Sequence, residues 1–88
     1  MNEKELCREA VDAMKNAYAP YSGYKVGAAL LTEKGKLFAG CNIENAAYTP
    51  TVCAERVALF NAISSGERNF TAIAVAGGKD GVISGAFP

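Results

Sequence analysis

The sequence predicts an α/β domain whose elements follow one another as helix, strand, strand, helix and strand. Three observations support this fold class. Apolar residues recur at helical spacing near the N-terminus, two apolar runs flank a short polar turn that contains glycine, and a nearly all-apolar helix precedes a third apolar run. Elements of this kind stack in layers, so we expect part of a three-layer sandwich in which helices cover the sheet.

The first helix is expected over residues 2–18, where apolar residues such as Leu6 and Met14 recur at helical spacing. Pro20 ends this helix, because proline cannot continue the pattern of backbone hydrogen bonds. The sequence YAPYSG over residues 18–23 has the composition of a turn that leads into the next element.

An antiparallel hairpin is expected next. The apolar runs 24–32 (YKVGAALLT) and 37–41 (LFAGC) are separated by the polar segment 33–36 with its glycine, which is the pattern of two strands joined by a tight turn. Residues 42–51 (NIENAAYTPT) show no clear period and contain proline, so we expect them to form a loop.

The second helix is expected over residues 52–65 (VCAERVALFNAISS), with Thr51 as its N-cap and Gly66 at its C-terminal end. This helix is apolar on nearly all sides, so we expect it to be buried against the sheet and against other chains. Residues 70–76 (FTAIAVA) form the third predicted strand, and residues 77–88 are expected to be a loop.

Composition and charge exclude several classes of protein. The 88 residues suit one small domain, and nine Lys+Arg balance nine Asp+Glu, so the chain lacks the basic face of a nucleic-acid binder. Its apolar stretches are far shorter than the roughly 20 residues that span a bilayer. The N-terminal MNEKELCREA has no apolar core, so we expect no signal peptide and a cytoplasmic protein with reduced thiols. Because the sequence has no histidine, any site must use Cys, Asp, Glu or the backbone.

The tripeptide Cys53-Ala54-Glu55 at the start of the second predicted helix is a candidate for chemistry. A cysteine in a first helical turn faces the positive end of the helix dipole, which favours the thiolate as a metal ligand or nucleophile. Glu55 lies on an otherwise apolar helix, where a shortage of water would raise its pKa and suit it to take and return protons. The alternative is that Cys53 is a buried structural residue and that Glu55 is a first-turn charge that interacts favourably with the helix dipole. The same pattern occurs in zinc-dependent nucleobase deaminases. Their signature begins with a metal ligand, any one residue and a glutamate, and it continues with P-C-x-x-C.

Three segments taken together resemble the cytidine deaminase family: APYSGYKVGAALL, GCNIENAAYTPTVCAER and VALFNAISSGE. The resemblance extends over essentially the whole chain, and N-I-E-N-A-x-Y followed shortly by C-A-E-R is highly specific. It implies a Zn²⁺-dependent hydrolase that converts cytidine and deoxycytidine to uridine and deoxyuridine in pyrimidine salvage. It also implies a small-molecule nucleoside as the partner and assembly of the protein into homotetramers.

For the second helix, the resemblance implies four roles by position. Cys53 would be a zinc ligand, and Glu55 would move a proton from zinc-bound water to the pyrimidine ring and then to the leaving amine. The backbone of Ala54 would contact the pyrimidine edge, and Arg56 would steady the zinc thiolates.

For the loop and the first strand, the resemblance implies that Asn42 and Glu44 hold the ribose hydroxyls, which an amide and a carboxylate are suited to do. Tyr24 stands where the family usually places a phenylalanine against the pyrimidine, and Tyr48 resembles a residue that reaches a neighbouring subunit's site. Without the resemblance, Asn42 could simply shape a turn and the two tyrosines could be half-buried aromatic residues.

The sequence departs from the family in its zinc ligands. The 88 residues contain no P-C-x-x-C, and Cys53 is the one candidate ligand, whereas a catalytic zinc takes three protein ligands and a water. Cys7 and Cys41 are expected to be small core residues. We therefore expect residues 1–88 to be the N-terminal part of a cytidine deaminase-like domain, truncated before the second zinc-ligand motif, with little zinc binding or turnover by the chain alone.

Other interpretations remain open on the sequence. The chain could be a catalytically inactive homologue that acts as a nucleoside-binding or oligomerisation module. It could recruit zinc ligands from neighbouring copies, such as Cys41 of another chain. It could also act on another aminopyrimidine, although the pair Asn42 and Glu44 favours a nucleoside.

Overall fold

The computed structural model describes residues 2–44, 53–79 and 82–87, and it describes side chains as far as residue 78. The helices are α1 (Glu3–Ala13) and α2 (Ala54–Ser64). The strands are β1 (Tyr24–Thr32), β2 (Leu37–Cys41), β3 (Phe70–Lys79) and β4 (Val82–Phe87). The predicted order of helix, strand, strand, helix and strand is confirmed as far as β3. The strand β4 is an additional element.

The expectation of a loop over residues 77–88 is wrong, because β3 continues to Lys79 and β4 pairs with it as an antiparallel neighbour. Four of these residues are glycines, which are depleted in strands and obscure the signal of the apolar residues around them. The sequence also places Asp-Gly between the two strands. That dipeptide is typical of tight hairpins, and it favours the pairing over a loop.

Within the described part of the chain, the strands form one sheet in the order β2-β1-β3-β4, and every neighbouring pair is antiparallel. The predicted hairpin of β1 and β2 is confirmed, in a register that pairs Gly27 with Cys41 and Leu31 with Leu37. Its turn contains Gly35 with a φ of 83°, a conformation that glycine adopts without steric cost.

One helix packs on each face of the sheet. Side chains alternate along β1, so Ala29 faces α1 whereas Ala28 and Leu30 face α2. The core on the α1 side consists of Leu6, Ala10, Met14, Ala29, Ala74 and Ala76. The core on the α2 side consists of Ala28, Leu30, Ala54, Ala58 and Ala62. The α/β class and the predicted part of a three-layer sandwich are therefore confirmed.

Both helices lie directly against the backbone of the hairpin, at positions that only glycine can fill. A Cβ atom at Gly40 would lie 2.5 Å from the carbonyl oxygen of Ala54 and closer still to the amide nitrogen of Ala58. A Cβ atom at Gly27 would lie 2.6 Å from the amide nitrogen of Met14. Because the α2 backbone comes so close to the sheet, the side chains buried beneath it are all alanines.

The expectation that α2 is buried against the sheet is confirmed, and its burial against other chains stays a prediction. The buried alanines form one stripe that faces the sheet, while Phe60 is 56% exposed and Ile63 is 38% exposed. The sequence of α2 is apolar all round because the helix presents large apolar side chains outward as well as small ones inward.

The second helix begins at Ala54 and not at Val52 as predicted. Its N-cap is Cys53, which has the extended backbone conformation of a cap residue, with φ −73° and ψ 152°. The predicted N-cap, Thr51, lies outside the described residues. The C-terminal end is as predicted, since Gly66 follows the helix with a φ of 95°.

The first helix is capped by Asn2, whose Oδ1 accepts a hydrogen bond of 2.8 Å from the amide of Glu5. It ends at Ala13, and a short 3-10 turn, Met14–Asn16, continues it toward Pro20. Among the described helices, none is long and apolar enough to cross a membrane.

Candidate functional site

The predicted site residues within the described ranges lie at one end of the sheet. At this end β1 begins with Tyr24, and β2 ends one residue before Asn42. The second helix also begins near this end, because its first residue, Ala54, lies over Gly40 of β2. Strand ends and a helix N-terminus therefore meet here, on the face of the sheet that carries α2.

Asn42 uses both ends of its amide to extend the pairing of β1 and β2. Its Oδ1 accepts a hydrogen bond of 2.9 Å from the amide of Val26, and its Nδ2 donates one of 2.9 Å to the carbonyl of Tyr24. The residue does shape the backbone, as the alternative interpretation held. A side-chain amide has a second N–H and a second acceptor lone pair, so this role is compatible with binding a ligand.

The segment after β2 is fixed to the segment before β1. Tyr18 and Ile43 form an isolated parallel bridge. The amide of Tyr18 donates to the carbonyl of Asn42 at 3.0 Å, and the amide of Glu44 donates to the carbonyl of Tyr18 at 2.8 Å. These bonds hold Asn42 and Glu44 beside the turn that leads into β1.

The carboxylate of Glu44 accepts three hydrogen bonds from that turn. The amides of Tyr21 and Ser22 each donate to Oε1 at 3.0 Å, and the Ser22 hydroxyl donates to Oε2. The Ser22 hydroxyl, followed by its backbone amide, lowers the pKa of Glu44 below the ordinary value. Glu44 is therefore a charged group at neutral pH whose orientation is fixed before any ligand arrives.

The side chain of Tyr24 lies over the backbone of β3 at Gly77. A Cβ atom at Gly77 would lie 2.8 Å from Cε1 and 2.9 Å from the hydroxyl oxygen of Tyr24. The tyrosine remains 42% exposed. The absence of a side chain at Gly77 thus makes room for an aromatic ring that stays accessible to a ligand.

The start of α2 presents a thiol and two charged side chains to solvent. Cys53, Glu55 and Arg56 are exposed, and Cys53 forms no capping hydrogen bond through its side chain. Ala54 is fully buried. The expectation of a Glu55 carboxylate short of water is wrong for this chain, because its side of α2 faces solvent and not the sheet.

Within the described ranges, no group of three or more acidic, cysteine or histidine side chains could hold a metal ion. Cys41 pairs with Gly27 on the α1 side of the sheet, and Cys7 packs against the core on that same side. Both are partly buried, and burial raises the pKa of the Cys41 thiol. Cys53 precedes α2 on the opposite side, so the described residues bring a single cysteine to the start of α2, which does not fit a complete zinc site.

One predicted site residue, Tyr48, falls outside the described residues. Ser22 and Tyr21 bind Glu44 from more than twenty positions away in sequence, and the prediction missed them. The signal that could have found them is the Tyr-Ser-Gly sequence of the turn, since Gly23 has a φ of 70° and serine amides and hydroxyls are common anchors in turns.

Cys53 and Glu55 at the start of α2 match the first part of the signature of zinc-dependent nucleobase deaminases. The family described as the cytidine and deoxycytidylate deaminase zinc-binding region matches residues 1–80. The chain belongs to this family, as the sequence predicted, and Zn²⁺ is the metal of the family.

Individual relatives agree with the family match. A cytidine deaminase of Sporosarcina psychrophila is 50% identical over 84 residues, which cover 96% of this chain and 62% of the relative. One of Halalkalibacterium halodurans is 53% identical over 75 residues, which cover 85% of this chain and 57% of the relative. The chain thus spans about three fifths of the length of these two relatives.

Solved structures give the same result for the fold. A cytidine deaminase from Burkholderia pseudomallei has a TM-score of 0.87 and 52% sequence identity, and the match covers 91% of this chain and 65% of that one. A cytidine deaminase from Mycobacterium tuberculosis has a TM-score of 0.85 and 36% identity, with 94% and 67% covered. The sheet and its two helices are therefore part of a cytidine deaminase fold.

Proposed function

We propose that this chain is the N-terminal part of a cytoplasmic, zinc-dependent cytidine deaminase that serves pyrimidine salvage. Its reaction would be hydrolysis of cytidine and deoxycytidine to uridine and deoxyuridine, with release of ammonia. The observation that carries this proposal is the fixed orientation of Asn42 and Glu44 at the end of the sheet where α2 begins with Cys53 and Glu55. A sugar-binding pair beside a metal ligand and a proton-transfer group suits a nucleoside.

Asn42 and Glu44 would bind the sugar. The amide of Asn42 can donate to one ribose hydroxyl and accept from another, and the charged Glu44 carboxylate accepts strongly from hydroxyl groups. Their bonds to the backbone fix both side chains in advance, so little conformational freedom is lost when the sugar binds. This pair favours a nucleoside over a free aminopyrimidine.

Tyr24 and the start of α2 would hold the base. The exposed ring of Tyr24 offers a flat surface for stacking, and the backbone of Ala54 would contact the edge of the pyrimidine. Tyr48 would contribute from a neighbouring subunit.

Glu55 would handle the protons of the reaction. A water would add its hydroxyl to C4 of the base while Glu55 takes the proton and delivers it to the ring nitrogen. Glu55 would then take the proton of the new C4 hydroxyl and give it to the amine, so that the C4 carbonyl forms as ammonia leaves. Zinc, when bound, would make such a water acidic by lowering its pKa to about 7. Cys53 would be one ligand of that zinc, Arg56 would offset the thiolate charge, and the other ligands would come from outside the described residues.

A complementation assay tests this proposal. The chain is mixed with zinc and a peptide that carries a P-C-x-x-C helix, and cytidine deamination is followed by absorbance. We expect turnover in the mixture, little turnover by the chain alone, and loss of turnover with Glu55→Gln but not with the exposed control Glu33→Gln. Full turnover by the chain alone, or equal turnover with Glu55→Gln, contradicts the proposal.

A second candidate function is a nucleoside-binding module without catalysis. The observation that favours it is the single thiolate among the described residues, beside a sugar-binding pair that is already ordered. Such a module would show a rise in melting temperature with cytidine and no turnover with the P-C-x-x-C peptide.

We also propose that the protein is a homo-oligomer, and specifically a tetramer, as the resemblance to the cytidine deaminase family implies. The exposed apolar side chains of Phe60 and Ile63 on the outer side of α2 support this proposal, because large apolar groups on a surface favour association.

A further inference from the structure

Ser22 connects the proposed sugar-binding carboxylate to the proposed base-stacking residue. Its hydroxyl donates to Oε2 of Glu44 and accepts a hydrogen bond of 3.0 Å from the amide of Tyr24, and its own amide donates to Oε1 of Glu44 at 3.0 Å. One serine therefore makes three bonds to two residues that lie 20 positions apart in the sequence.

We infer that Ser22 is a positioning residue of the nucleoside site, which fixes the Glu44 carboxylate relative to Tyr24 so that a sugar and its base meet both groups at once. This inference rests on the proposed function. It adds a residue that touches no substrate itself and acts through Glu44.

The chemistry of the contact requires a hydroxyl at this position. The Ser22 oxygen donates to a carboxylate and accepts from a backbone amide at the same time, which alanine cannot do and threonine can. Without the hydroxyl, Glu44 would keep its two amide donors on Oε1, but Oε2 would lose its partner. The carboxylate could then rotate away from the direction in which it meets the sugar.

The turn itself does not depend on the Ser22 side chain. Gly23 takes the left-handed conformation with a φ of 70°, and its amide donates to the carbonyl of Ala19 at 3.0 Å. The Ser22 side chain is partly solvent-accessible on a surface turn, so its removal leaves no cavity in the core. Ser22→Ala should therefore fold, and its effect on the site should be confined to the Glu44 carboxylate, because the Tyr24 ring lies over Gly77 of β3 and Ser22 contacts Tyr24 through the backbone amide.

The first test does not need a ligand. The titration of the Glu44 carboxyl is followed by NMR in the unchanged chain and in Ser22→Ala, Ser22→Thr and Ser64→Ala, the last of which removes an exposed hydroxyl at the far end of α2. Because the Ser22 hydroxyl is the main cause of the low pKa of Glu44, we expect that pKa to rise in Ser22→Ala only. An unchanged titration in Ser22→Ala overturns the inference.

The second test compares cytidine, which has the ribose, with cytosine, which lacks it. We expect Ser22→Ala to weaken cytidine binding about 10-fold, as for loss of support to a charged hydrogen-bonding group, and to leave cytosine binding unchanged. Ser22→Thr should restore cytidine affinity. Equal losses for both ligands overturn the inference, because they indicate general damage to the turn.

The two tests separate this inference from the proposed function. If the unchanged chain binds neither cytidine nor cytosine, the proposed function fails for this chain and the sugar-positioning inference falls with it. A raised Glu44 pKa in Ser22→Ala would then assign Ser22 only the role of orienting the Glu44 carboxylate.

Discussion

Asn42 and Glu44 both direct hydrogen bonds to the backbone of their own chain, Asn42 to β1 and Glu44 to the turn before it. Each side chain therefore has one stable orientation. Groups that are fixed in this way bind a ligand with a smaller loss of conformational entropy than free side chains do. At this site the structural role and the proposed binding role support each other.

The pKa of Glu44 gives a prediction for stability at acid pH. Since hydrogen bonds from Ser22 and Tyr21 lower this pKa below its ordinary value of 4.5, the charged carboxylate stabilises the fold above that value. The stabilisation is lost as the pH falls from about 4.5 through the lowered pKa. We expect the melting temperature to fall more steeply in that window for the unchanged chain than for Glu44→Gln.

The matched control is Glu33→Gln, an exposed carboxylate in the hairpin turn whose variant should follow the unchanged chain. The measurement is a comparison of the melting temperatures of the three proteins from neutral pH down to about pH 3. Parallel curves for the unchanged chain and Glu44→Gln would show that the contacts of Glu44 do not stabilise the fold.

At the scale of single residues, the sequence predicted candidate site residues but not the contacts around them. The family resemblance pointed to Asn42 and Glu44, but the Ser22 contact depends on how a turn brings residue 22 beside residue 44, and no local pattern encodes that distance. The exposure of Glu55 was missed for a similar reason. An all-apolar helix in sequence does not reveal which of its sides lies on the sheet.

At the scale of elements, the close approach of α2 to β2 determines where the site lies. The helix backbone rests on Gly40, so the position of Cys53 at the helix start depends on a residue that carries no side chain. The alanine stripe of α2 and the glycine of β2 are two halves of one packing arrangement. Hydrophobic periodicity predicted both elements but could not predict this distance between them.

Gly40→Ala is expected to destabilise the fold. The added methyl group would meet the backbone of Ala54 and Ala58, which cannot move aside as a flexible side chain can. We expect a loss of about 1–3 kcal/mol in the free energy of unfolding, the usual range for overpacking. Urea denaturation measures this loss.

The control for Gly40→Ala is Ala39→Ser, a small change at the neighbouring exposed position, which should leave stability nearly unchanged. Equal stability of the two variants would mean that α2 does not rest on β2 as described.

The sequence analysis missed the strand β4. Its glycine-rich sequence gives a weak strand signal, whereas pairing with β3 stabilises the strand in the fold.

At the scale of the whole molecule, the outer side of α2 is one surface that the described part of the chain leaves apolar. Phe60 and Ile63 are exposed there, and the proposed homo-oligomer would cover them. We expect the unchanged chain to sediment as an oligomer and Phe60→Glu to shift it toward the monomer, because a charge is costly in an apolar interface.

The control with the same added charge is Ser64→Glu, at an exposed polar position on the same helix, and it should sediment as the unchanged chain does. A monomeric unchanged chain, or an equal shift in both variants, would contradict the proposed oligomer.

The central claim is that this chain contributes the sugar-binding pair and one zinc ligand of a deaminase site. The most direct measurement is the zinc content per chain of the purified protein after dialysis, in the unchanged chain and in Cys53→Ser. One thiolate retains only a small part of the binding energy of a complete zinc site, which is about 10–16 kcal/mol in structural sites, so we expect far less than one zinc per chain in both. Near one zinc per chain that is lost in Cys53→Ser would contradict the account, because further ligands within these residues would then complete the site.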